Sequence, residues 1–434
     1  MNVIVLGAGE SGVGAALLAK KNNYEVFVSD YGTIKKNFKK ELNNNKIPFE
    51  ENKHTKEKIF EADLIIKSPG IPDKVPVIQE SLQRGIDVIS EIEFAAKYTS
   101  AKIIAITGSN GKTTTTNLTY HLLKTAGLDV SVGGNIGHSF ARLLATQKKN
   151  AFYVLELSSF QLDNIKEFRP DIAILLNITP DHLDRYDYQL SNYAASKFRI
   201  MMNQQPGDLF IYNISDNNVN ELMNGRRVTM DTLPVRQAFF ENEKIEVGGQ
   251  QFDMSKCVLK GPHNYFNATC AIHAAQYLGV STKAIQKALN TFVNDPHRME
   301  LVATVNGIDF INDSKATNVD SVYYALLSMK KPVVWVVGGT DKGNDYSPLY
   351  QLVKDKVKAI VCLGVDNQKL HDSFENMVPE MMDTQSTIEA VKMAIEFAEQ
   401  GDVVLLSPAC ASFDLFKNYK DRGDQFREAV QLFN

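Results

Sequence analysis

Short apolar runs alternate with amphipathic stretches and glycine turns along most of this chain. Such runs, bounded by turns, are typical of strands in a parallel sheet, because helices cover both faces of that sheet. The runs that predict buried strands lie at 2–6, 24–29, 64–67, 102–107, 152–157, 172–176, 308–311, 333–337, 359–363 and 403–406. The first two runs flank a predicted helix at 13–20. The pattern therefore predicts an α/β protein.

The pattern changes between residues 209 and 259, where short alternating strands are predicted. Gly248-Gly249 separates two such runs and predicts a hairpin turn, hence a small antiparallel sheet. Helices are predicted at 265–278 and 282–291, and the alternation of strand and helix restarts near residue 298. We therefore expect three α/β domains, at 1–94, 95–298 and 299–434.

Composition excludes several classes of protein. The 434 residues carry 47 basic and 51 acidic side chains, a net charge of −4, whereas binding to nucleic acid through phosphate neutralisation calls for a basic excess. Hydrophobic residues make up 44%, which argues against intrinsic disorder. The chain has no apolar run long enough for a membrane span and opens without a signal-peptide pattern, so we expect a cytoplasmic protein.

The four cysteines, Cys257, Cys270, Cys362 and Cys410, are scattered along the chain. None is paired with another at CxxC spacing, so neither a disulfide framework nor a structural zinc site is expected from spacing. We interpret them as small buried hydrophobic residues in a reducing compartment.

The first glycine loop, Gly7-x-Gly9-x-x-Gly12, follows a predicted strand and opens a predicted helix. Asp30 ends the second strand, eighteen residues after Gly12. This arrangement is close to the dinucleotide fingerprint, in which helix N-terminal amides bind a pyrophosphate and an acid binds a ribose hydroxyl. NAD or FAD, another diphosphate nucleotide, and a turn without a ligand all remain open for this motif.

The second glycine loop, TGSNGKT at 107–113, indicates a phosphate-binding site more strongly, and we call it the phosphate loop. Lysine after the last glycine serves the β- and γ-phosphates, and the next hydroxyl serves Mg²⁺. The loop is shorter than the common form, since Ile106 stands where that form has its first glycine. The residues predicted to line it are Gly108, Ser109, Asn110, Gly111, Lys112, Thr113 and Thr114. Two nucleotide loops weaken the interpretation as a dehydrogenase, which needs one.

Polar residues gather where further strands end. Glu156 closes a buried strand, and a buried carboxylate is costly unless it is paired or binds a metal. His182 follows the next strand, so both are candidate Mg²⁺ ligands beside Thr113. Lys197 lies on a predicted helix, where the residues alone favour a surface lysine, and Asn264 precedes a predicted helix, which it could simply cap. The segment 312–318 brings an acid, a lysine and hydroxyls to a strand end in the third domain.

Together, several segments resemble the Mur ligases, the ATP-dependent enzymes that add amino acids to peptidoglycan precursors. The resemblance spans the chain and rests on TGSNGKT, ELSSFQL at Glu156, NITPDHLDRY, GPHNYFN, NDSKATN and SPACASFD at 407–414. The last two segments, with the length, are most similar to members that add D-glutamate. The resemblance implies a Rossmann-like UDP-binding domain, a central P-loop ATPase-like domain with a parallel and a small antiparallel sheet, and a Rossmann-like amino-acid domain.

The resemblance also implies roles for individual residues. The UDP-substrate contacts are expected at Glu10, Ser11, Asp30, Ser68, Pro69, Gly70 and Asn135. Besides the phosphate loop, ATP contacts are expected at Asn264, Asn267, Arg298 and Asp313. The D-glutamate contacts are expected at Lys315, Thr317, Lys342, Ser412, Phe413 and Tyr419, where the tyrosine replaces a frequent phenylalanine. The catalytic set is Lys112, Glu156, His182 and Lys197, and the last three with Thr113 bind two Mg²⁺ ions, Lys197 as a carbamate.

The implied reaction joins D-glutamate to UDP-N-acetylmuramoyl-L-alanine through an acyl phosphate. Its partners are small molecules, with neither nucleic acid nor a membrane, and a monomer is expected. The alternatives are a sister ligase that adds another amino acid, an NAD-dependent dehydrogenase that uses the first glycine loop, and a non-catalytic nucleotide-binding regulator.

Overall fold

The computed structural model describes residues 1–236 and 243–434, in two compact units. Unit 1 comprises Met1–Cys257 and Phe266–Phe292, and unit 2 comprises Val258–Tyr265 and Val293–Asn434. Each of the three larger sheets lies within one of the predicted ranges 1–94, 95–298 and 299–434, whose boundaries stay a prediction.

The first sheet of unit 1 is parallel, in the order β3-β2-β1-β4-β5. Its strands are β1 (Asn2–Leu6), β2 (Glu25–Ser29), β3 (Phe49–Glu50), β4 (Leu64–Lys67) and β5 (Asp87–Ser90). Its helices are α1 (Glu10–Lys21), α2 (Lys36–Asn44), α3 (Lys56–Ile59), α4 (Pro76–Gln83) and α5 (Glu91–Ala96). The strand order reverses between β1 and β4, so the loops after these two strands share one crevice.

The second sheet of unit 1 is also parallel, in the order β11-β10-β9-β6-β8-β7. Its strands are β6 (Lys102–Thr107), β7 (Val130–Gly134), β8 (Phe152–Glu156), β9 (Ile172–Leu175), β10 (Leu209–Asn213) and β11 (Asp231–Val235). Its helices are α6 (Lys112–Thr125), α7 (Phe140–Thr146), α8 (Ser159–Leu162), α9 (Leu190–Phe198) and α10 (Asn217–Met223), with 3₁₀ turns at Leu183–Arg185 and Arg199–Met201. Strand β6 lies between β8 and β9, so the phosphate loop is flanked by the ends of both.

The hairpin predicted around Gly248-Gly249 is present as β12 (Lys244–Val247) and β13 (Gln250–Asp253), which pair antiparallel. Helices α11 (Pro262–Tyr277) and α12 (Thr282–Thr291) follow it. The expectation of short alternating strands from residue 209 onward is wrong for β10 and β11. Both extend the parallel sheet, and β10 is almost wholly buried rather than alternately exposed.

The sheet of unit 2 has the order β14-β15-β19-β16-β17-β18, with β14 antiparallel to β15 and the other pairs parallel. Its strands are β14 (Glu300–Val305), β15 (Ile308–Asn312), β16 (Val333–Val337), β17 (Val357–Leu363), β18 (Glu380–Thr384) and β19 (Val403–Leu406). Its helices are α13 (Val319–Ser328), α14 (Tyr350–Lys356), α15 (Gln368–Phe374), α16 (Thr387–Phe397) and α17 (Tyr419–Gln431), with a 3₁₀ turn at Ser347–Leu349. Strand β19 lies between β15 and β16, so the loops after these three strands are neighbours.

Helices cover both faces of the sheets, and the central strands are buried along their whole length, as in β9 and β16. The predicted α/β fold class is therefore confirmed. All four cysteines are buried and unbridged, as expected. Among residues 1–236 and 243–434, no helix combines the length and apolarity that a membrane crossing requires.

Candidate active site

The first glycine loop is shaped by close backbone approach. Gly7 has φ +89°, and a Cβ there would lie 2.6 Å from the Ser68 hydroxyl oxygen. A Cβ on Gly12 would lie 1.8 Å from the Gly7 carbonyl oxygen, so only glycine fits at either position. Asp30 accepts hydrogen bonds from the amides of Ala8 (2.6 Å) and Gly32 (2.7 Å) and so holds the loop.

The Ser68–Gly70 turn lies beside this loop and is anchored by an arginine from the second sheet. The Ser68 hydroxyl donates to the Gly7 carbonyl at 3.3 Å. The Arg185 guanidinium donates to the carbonyls of Pro69 (3.0 Å), Gly70 (3.1 Å) and Ile71 (2.9 Å). The structure thus brings the predicted UDP-contact residues Asp30, Ser68, Pro69 and Gly70 around one loop.

Glu10 is engaged elsewhere in unit 1. Its carboxylate accepts from Arg142 Nε at 2.7 Å and from the Ser139 amide at 3.1 Å. Arg142 also contacts the Glu41 carboxylate. Glu10 therefore links α1 to the start of α7, while Ser11 lies half-buried in the first turn of α1.

Asn177, just after the neighbouring strand β9, holds the phosphate loop through hydrogen bonds. Asn177 accepts from the Ser109 amide (3.0 Å) through its carbonyl and from the Asn110 amide (2.8 Å) through its side chain. Gly111 has φ +83°, and a Cβ there would lie 2.5 Å from the Asn267 side-chain oxygen. Asn267, a predicted ATP contact, therefore packs directly on this loop, whose last residues begin α6 with Lys112, Thr113 and Thr114.

Two lysines converge on one carbonyl of this loop. Lys112 Nζ donates to the carbonyls of Gly108 and Ser109, both at 2.8 Å. Lys197 Nζ donates to the same Gly108 carbonyl at 2.7 Å and lies 4.5 Å from the Tyr193 ring centroid. Lys197 is only 1% exposed. Burial, with the charge of Lys112 second, lowers the pKa of Lys197 well below its usual range.

Glu156 supplies a carboxylate with unused coordination capacity. It is 2% exposed at the end of β8, and its Oε1 accepts from the Asn135 side chain at 2.8 Å. Its buried Oε2 has no hydrogen-bond partner among the residues that the structure describes. An unpaired buried carboxylate oxygen beside a phosphate loop fits Mg²⁺, which prefers oxygen ligands.

His182 lies in a left-handed turn, with φ +53°, directly before the 3₁₀ turn Leu183–Arg185. Its Nε2 is 3.5 Å from the Asp181 carboxylate, and its ring centroid is 5.3 Å from that of Phe160. The side chain is exposed.

In unit 2, the other predicted ATP contacts lie at the start of α11 and around β15. Asn264 donates to the Lys260 carbonyl at 2.9 Å, and Arg298 is half-buried. Asp313 accepts from the Met299 amide (3.2 Å) and the Ser407 hydroxyl (3.1 Å). Burial raises the pKa of Asp313 to about 7, and the Arg298 charge opposes this rise.

The predicted acceptor residues lie on the three neighbouring strand-end loops and α17 of the unit 2 sheet. Lys315 Nζ is 3.9 Å from the Tyr419 ring centroid, which brings two of these residues together. Ser412 is buried and Phe413 is 71% exposed. Lys342 is exposed and Thr317 is half-buried.

Arg422 on α17, which the sequence analysis missed, ties these three loops together. It donates to Ser314 after β15 (Nη2 to the carbonyl, 2.9 Å), to Gly338 after β16 (3.3 Å) and to Cys410 after β19 (3.2 Å). It is 1% exposed, and burial lowers its pKa to about 10. No local pattern predicts this role, because an arginine on an amphipathic helix is usually a surface residue. Asn177 and Arg185 were also missed, although both lie in the NITPDHLDRY segment.

Comparison with known proteins decides the family. Three family models match: the MurD N-terminal domain at 2–77, the Mur ligase middle domain at 106–275, and the Mur ligase, glutamate ligase domain at 297–410. A UDP-N-acetylmuramoylalanine–D-glutamate ligase from Christiangramia forsetii is 51% identical, over 99% of each chain. The chain belongs to the Mur ligase family, among its UDP-N-acetylmuramoylalanine–D-glutamate ligases.

Solved Mur ligases share the fold. UDP-N-acetylmuramate-alanine ligase MurC from Thermotoga maritima has a TM-score of 0.62 at 20% identity, over the whole of both chains. MurF ligase from the same organism, in complex with ADP, has a TM-score of 0.63 at 15% identity, over 94% of this chain and 95% of that one. The family uses ATP and Mg²⁺. The predicted family is confirmed, and the dehydrogenase and regulator interpretations have no support.

Proposed function

We propose that this chain joins the amine of D-glutamate to the L-alanine carboxylate of UDP-N-acetylmuramoyl-L-alanine, with cleavage of ATP to ADP and phosphate. The observation that carries this proposal is 51% identity, along essentially the whole chain, to a ligase of that name. The phosphate loop, with two lysines at one carbonyl and an unpaired buried carboxylate oxygen nearby, supports the phosphoryl-transfer half of the reaction.

The first half-reaction transfers the γ-phosphoryl group of ATP to the substrate carboxylate and yields an acyl phosphate and ADP. Two anions must approach, so positive charge at the phosphates lowers the barrier. We assign this role to Lys112, which exchanges its bonds to the Gly108 and Ser109 carbonyls for phosphate oxygens. Amides of the first turn of α6 bind the phosphates at the positive end of the helix dipole.

We assign one Mg²⁺ ion to Glu156 and Thr113 and a second to His182 and carbamylated Lys197. Bound there, Mg²⁺ supplies charge neutralisation at the phosphate oxygens. Asn135 orients the Glu156 carboxylate, because it donates to one oxygen and leaves the other available.

The surroundings of Lys197 support the proposed carbamate, which the family resemblance implies. Burial, and then the charge of Lys112, lower the pKa of this amine and so favour its neutral form, and a neutral amine adds CO₂ to give a carbamate and a proton. The product offers carboxylate-like oxygens, whereas an ammonium group repels a metal ion. A crystal structure of the fully active, metal-bound protein tests this assignment. Density that ends at the amine would contradict it.

The second half-reaction is attack of the D-glutamate amine on the acyl phosphate, through a tetrahedral intermediate that loses phosphate and a proton. We assign D-glutamate to the unit 2 loops, where separate donors suit its two carboxylates. The proposed contacts are Lys315, Thr317, Lys342, Ser412, Phe413 and Tyr419.

The remaining assignments follow the same proposal. Residues 1–94 bind chiefly UDP, 95–298 chiefly ATP and 299–434 chiefly the amino acid, with single contacts from a neighbouring range. The UDP contacts are Glu10, Ser11, Asp30, Ser68, Pro69, Gly70 and Asn135, and the further ATP contacts are Asn264, Asn267, Arg298 and Asp313. We further propose that the chain acts in the cytoplasm as a monomer, which sedimentation velocity tests.

Phosphate release with a panel of amino acids tests the function. We expect release only when UDP-N-acetylmuramoyl-L-alanine and D-glutamate are both present, with L-glutamate, L-alanine and a diamino acid inactive. Equal rates with L-glutamate, or faster rates with L-alanine, would assign the chain to a sister ligase instead.

A further inference from the structure

Three potential metal-binding side chains meet on one face of the unit 2 sheet. Cys362 near the end of β17 pairs in register with Asp383 near the end of β18, so both side chains point to the same face. His371 on α15 reaches this pair, with its Nε2 3.0 Å from the Asp383 carboxylate oxygen. One nitrogen, one sulfur and one oxygen thus lie within 4.8 Å of one another.

The ordinary interpretation is a His–Asp ion pair above a buried cysteine. The distances, however, are close to those of a coordination sphere. Ligands bound tetrahedrally to Zn²⁺ at about 2.0–2.3 Å are separated by roughly 3.3–3.8 Å. The His371 Nε2 to Asp383 oxygen distance is 3.0 Å, and no two of the three atoms are more than 4.8 Å apart, so they are close enough to share one ion after the side chains adjust.

The surroundings also suit a metal ion. Cys362 is fully buried, whereas the side chains of His371 and Asp383 are 23% and 52% exposed, which gives an ion a path from solvent. The donor set matches borderline-soft transition metals and does not match Mg²⁺, which prefers oxygen alone. No other group of three such ligands was found in residues 1–236 and 243–434.

We propose that Cys362, His371 and Asp383 form a binding site for a divalent transition metal of the Zn²⁺ class, with water in the fourth position. Binding forms a metal–sulfur bond and releases the thiol proton to solvent. The sequence did not predict this site. Its ligands come from two strands and a helix, so they show no CxxC spacing.

A metal at this site joins α15 to β17 and β18. The chain contains one tryptophan, Trp335, whose ring centroid lies 5.3 Å from that of Phe374 on α15. Trp335 fluorescence therefore reports whether α15 is anchored. A ligand that binds only the folded state raises the unfolding midpoint as its concentration exceeds the dissociation constant.

Titration with Co²⁺, in the presence of excess Mg²⁺, tests the proposal by absorption spectroscopy. We expect one equivalent to bind with a thiolate-to-cobalt charge-transfer band, which Cys362→Ser abolishes. The control Cys270→Ser removes another buried cysteine and should keep the band. The absence of a charge-transfer band in the unmodified protein would overturn the proposal, as would retention of the band in Cys362→Ser.

His371→Gln and Asp383→Asn test the site without disturbing the core, because both side chains are partly exposed and keep their size. We expect each to weaken Co²⁺ binding at least 10-fold and to abolish the rise in the Trp335 unfolding midpoint on addition of Zn²⁺. His138→Gln, an exposed histidine of unit 1, serves as the control and should leave both unchanged. Equal Co²⁺ affinity in His371→Gln and the unmodified protein would show that the metal binds elsewhere.

Discussion

Replacement of Arg422 by lysine tests whether one buried guanidinium holds together the three loops that follow β15, β16 and β19. Arginine donates five hydrogen bonds here, to the Ser314 hydroxyl and to the carbonyls of Ser314, Gly338 and Cys410. Lysine keeps the charge but donates from one point, so it cannot reach acceptors on all three loops. We expect about two buried acceptors to lose their partner.

The expected loss in the free energy of unfolding follows from the number of buried acceptors left without a partner. A buried acceptor without a partner costs about 1–3 kcal/mol, so two cost about 2–6 kcal/mol. The whole stability of a domain is about 5–15 kcal/mol, so the effect on unit 2 should be large. Because the same loops carry Lys315, Lys342 and Ser412, we also expect the KM for D-glutamate to rise about 10-fold or more, with a smaller change in the KM for ATP.

Urea unfolding followed by Trp335 fluorescence measures this effect with a probe that lies in unit 2. Trp335 is fully buried in β16, and its indole donates to the Ser407 carbonyl at 2.7 Å. Arg427→Lys is the matched control, since Arg427 lies on the same helix and forms a partly exposed ion pair with Glu300, typically worth about 0–1 kcal/mol. If Arg422→Lys and Arg427→Lys have the same unfolding midpoint and the same KM for D-glutamate, the reasoning is wrong.

Four further perturbations have defined outcomes. Lys112→Ala should lower kcat by on the order of 10²-fold or more, because the negative charge of the transition state loses its cationic partner. Lys124→Ala, at the end of the same helix, is the control and should retain activity in the phosphate-release assay. Lys342→Ala should raise the KM for D-glutamate, or lower kcat, at nearly unchanged KM for ATP; an unchanged D-glutamate KM together with an unchanged kcat would make Lys342 a solvated loop residue. Arg185→Lys should raise the KM for the UDP substrate several-fold by releasing the Pro69–Ile71 carbonyls, and steady-state kinetics at saturating ATP checks this. Burial raises the pKa of Glu91 to about 8, so the folded state binds more protons than the unfolded state between about pH 4.5 and 8 and stability falls as pH rises through that window; calorimetry of Glu91→Gln should show a flatter pH dependence.

The predicted fold agrees closely with the structure where the signal is local. Buried strands with continuous apolar runs were identified within a residue or two, as for β1, β6, β16 and β19. The alternating pattern misled the interpretation of β10 and β11, because their sheet neighbours, rather than their own periodicity, decide that they pair in parallel. Five edge strands, β3, β5, β7, β14 and β18, were missed, since each is short or partly exposed and carries little pattern.

The sequence by itself determined the fold class and the two glycine loops, because these depend on short-range spacing: a strand, a glycine turn and a helix. The catalytic set Lys112, Glu156, His182 and Lys197 stays a prediction that the family resemblance implies. Only the tertiary structure decided which of these residues meet. Lys112 and Lys197 share the Gly108 carbonyl although 85 positions separate them in the chain, and Arg422 joins loops after three different strands. Strand order and burial create such contacts, and burial also sets the pKa of Lys197 and leaves one oxygen of Glu156 unpaired. Neither property can be read from neighbours in the chain, because each depends on which groups exclude water from the same place.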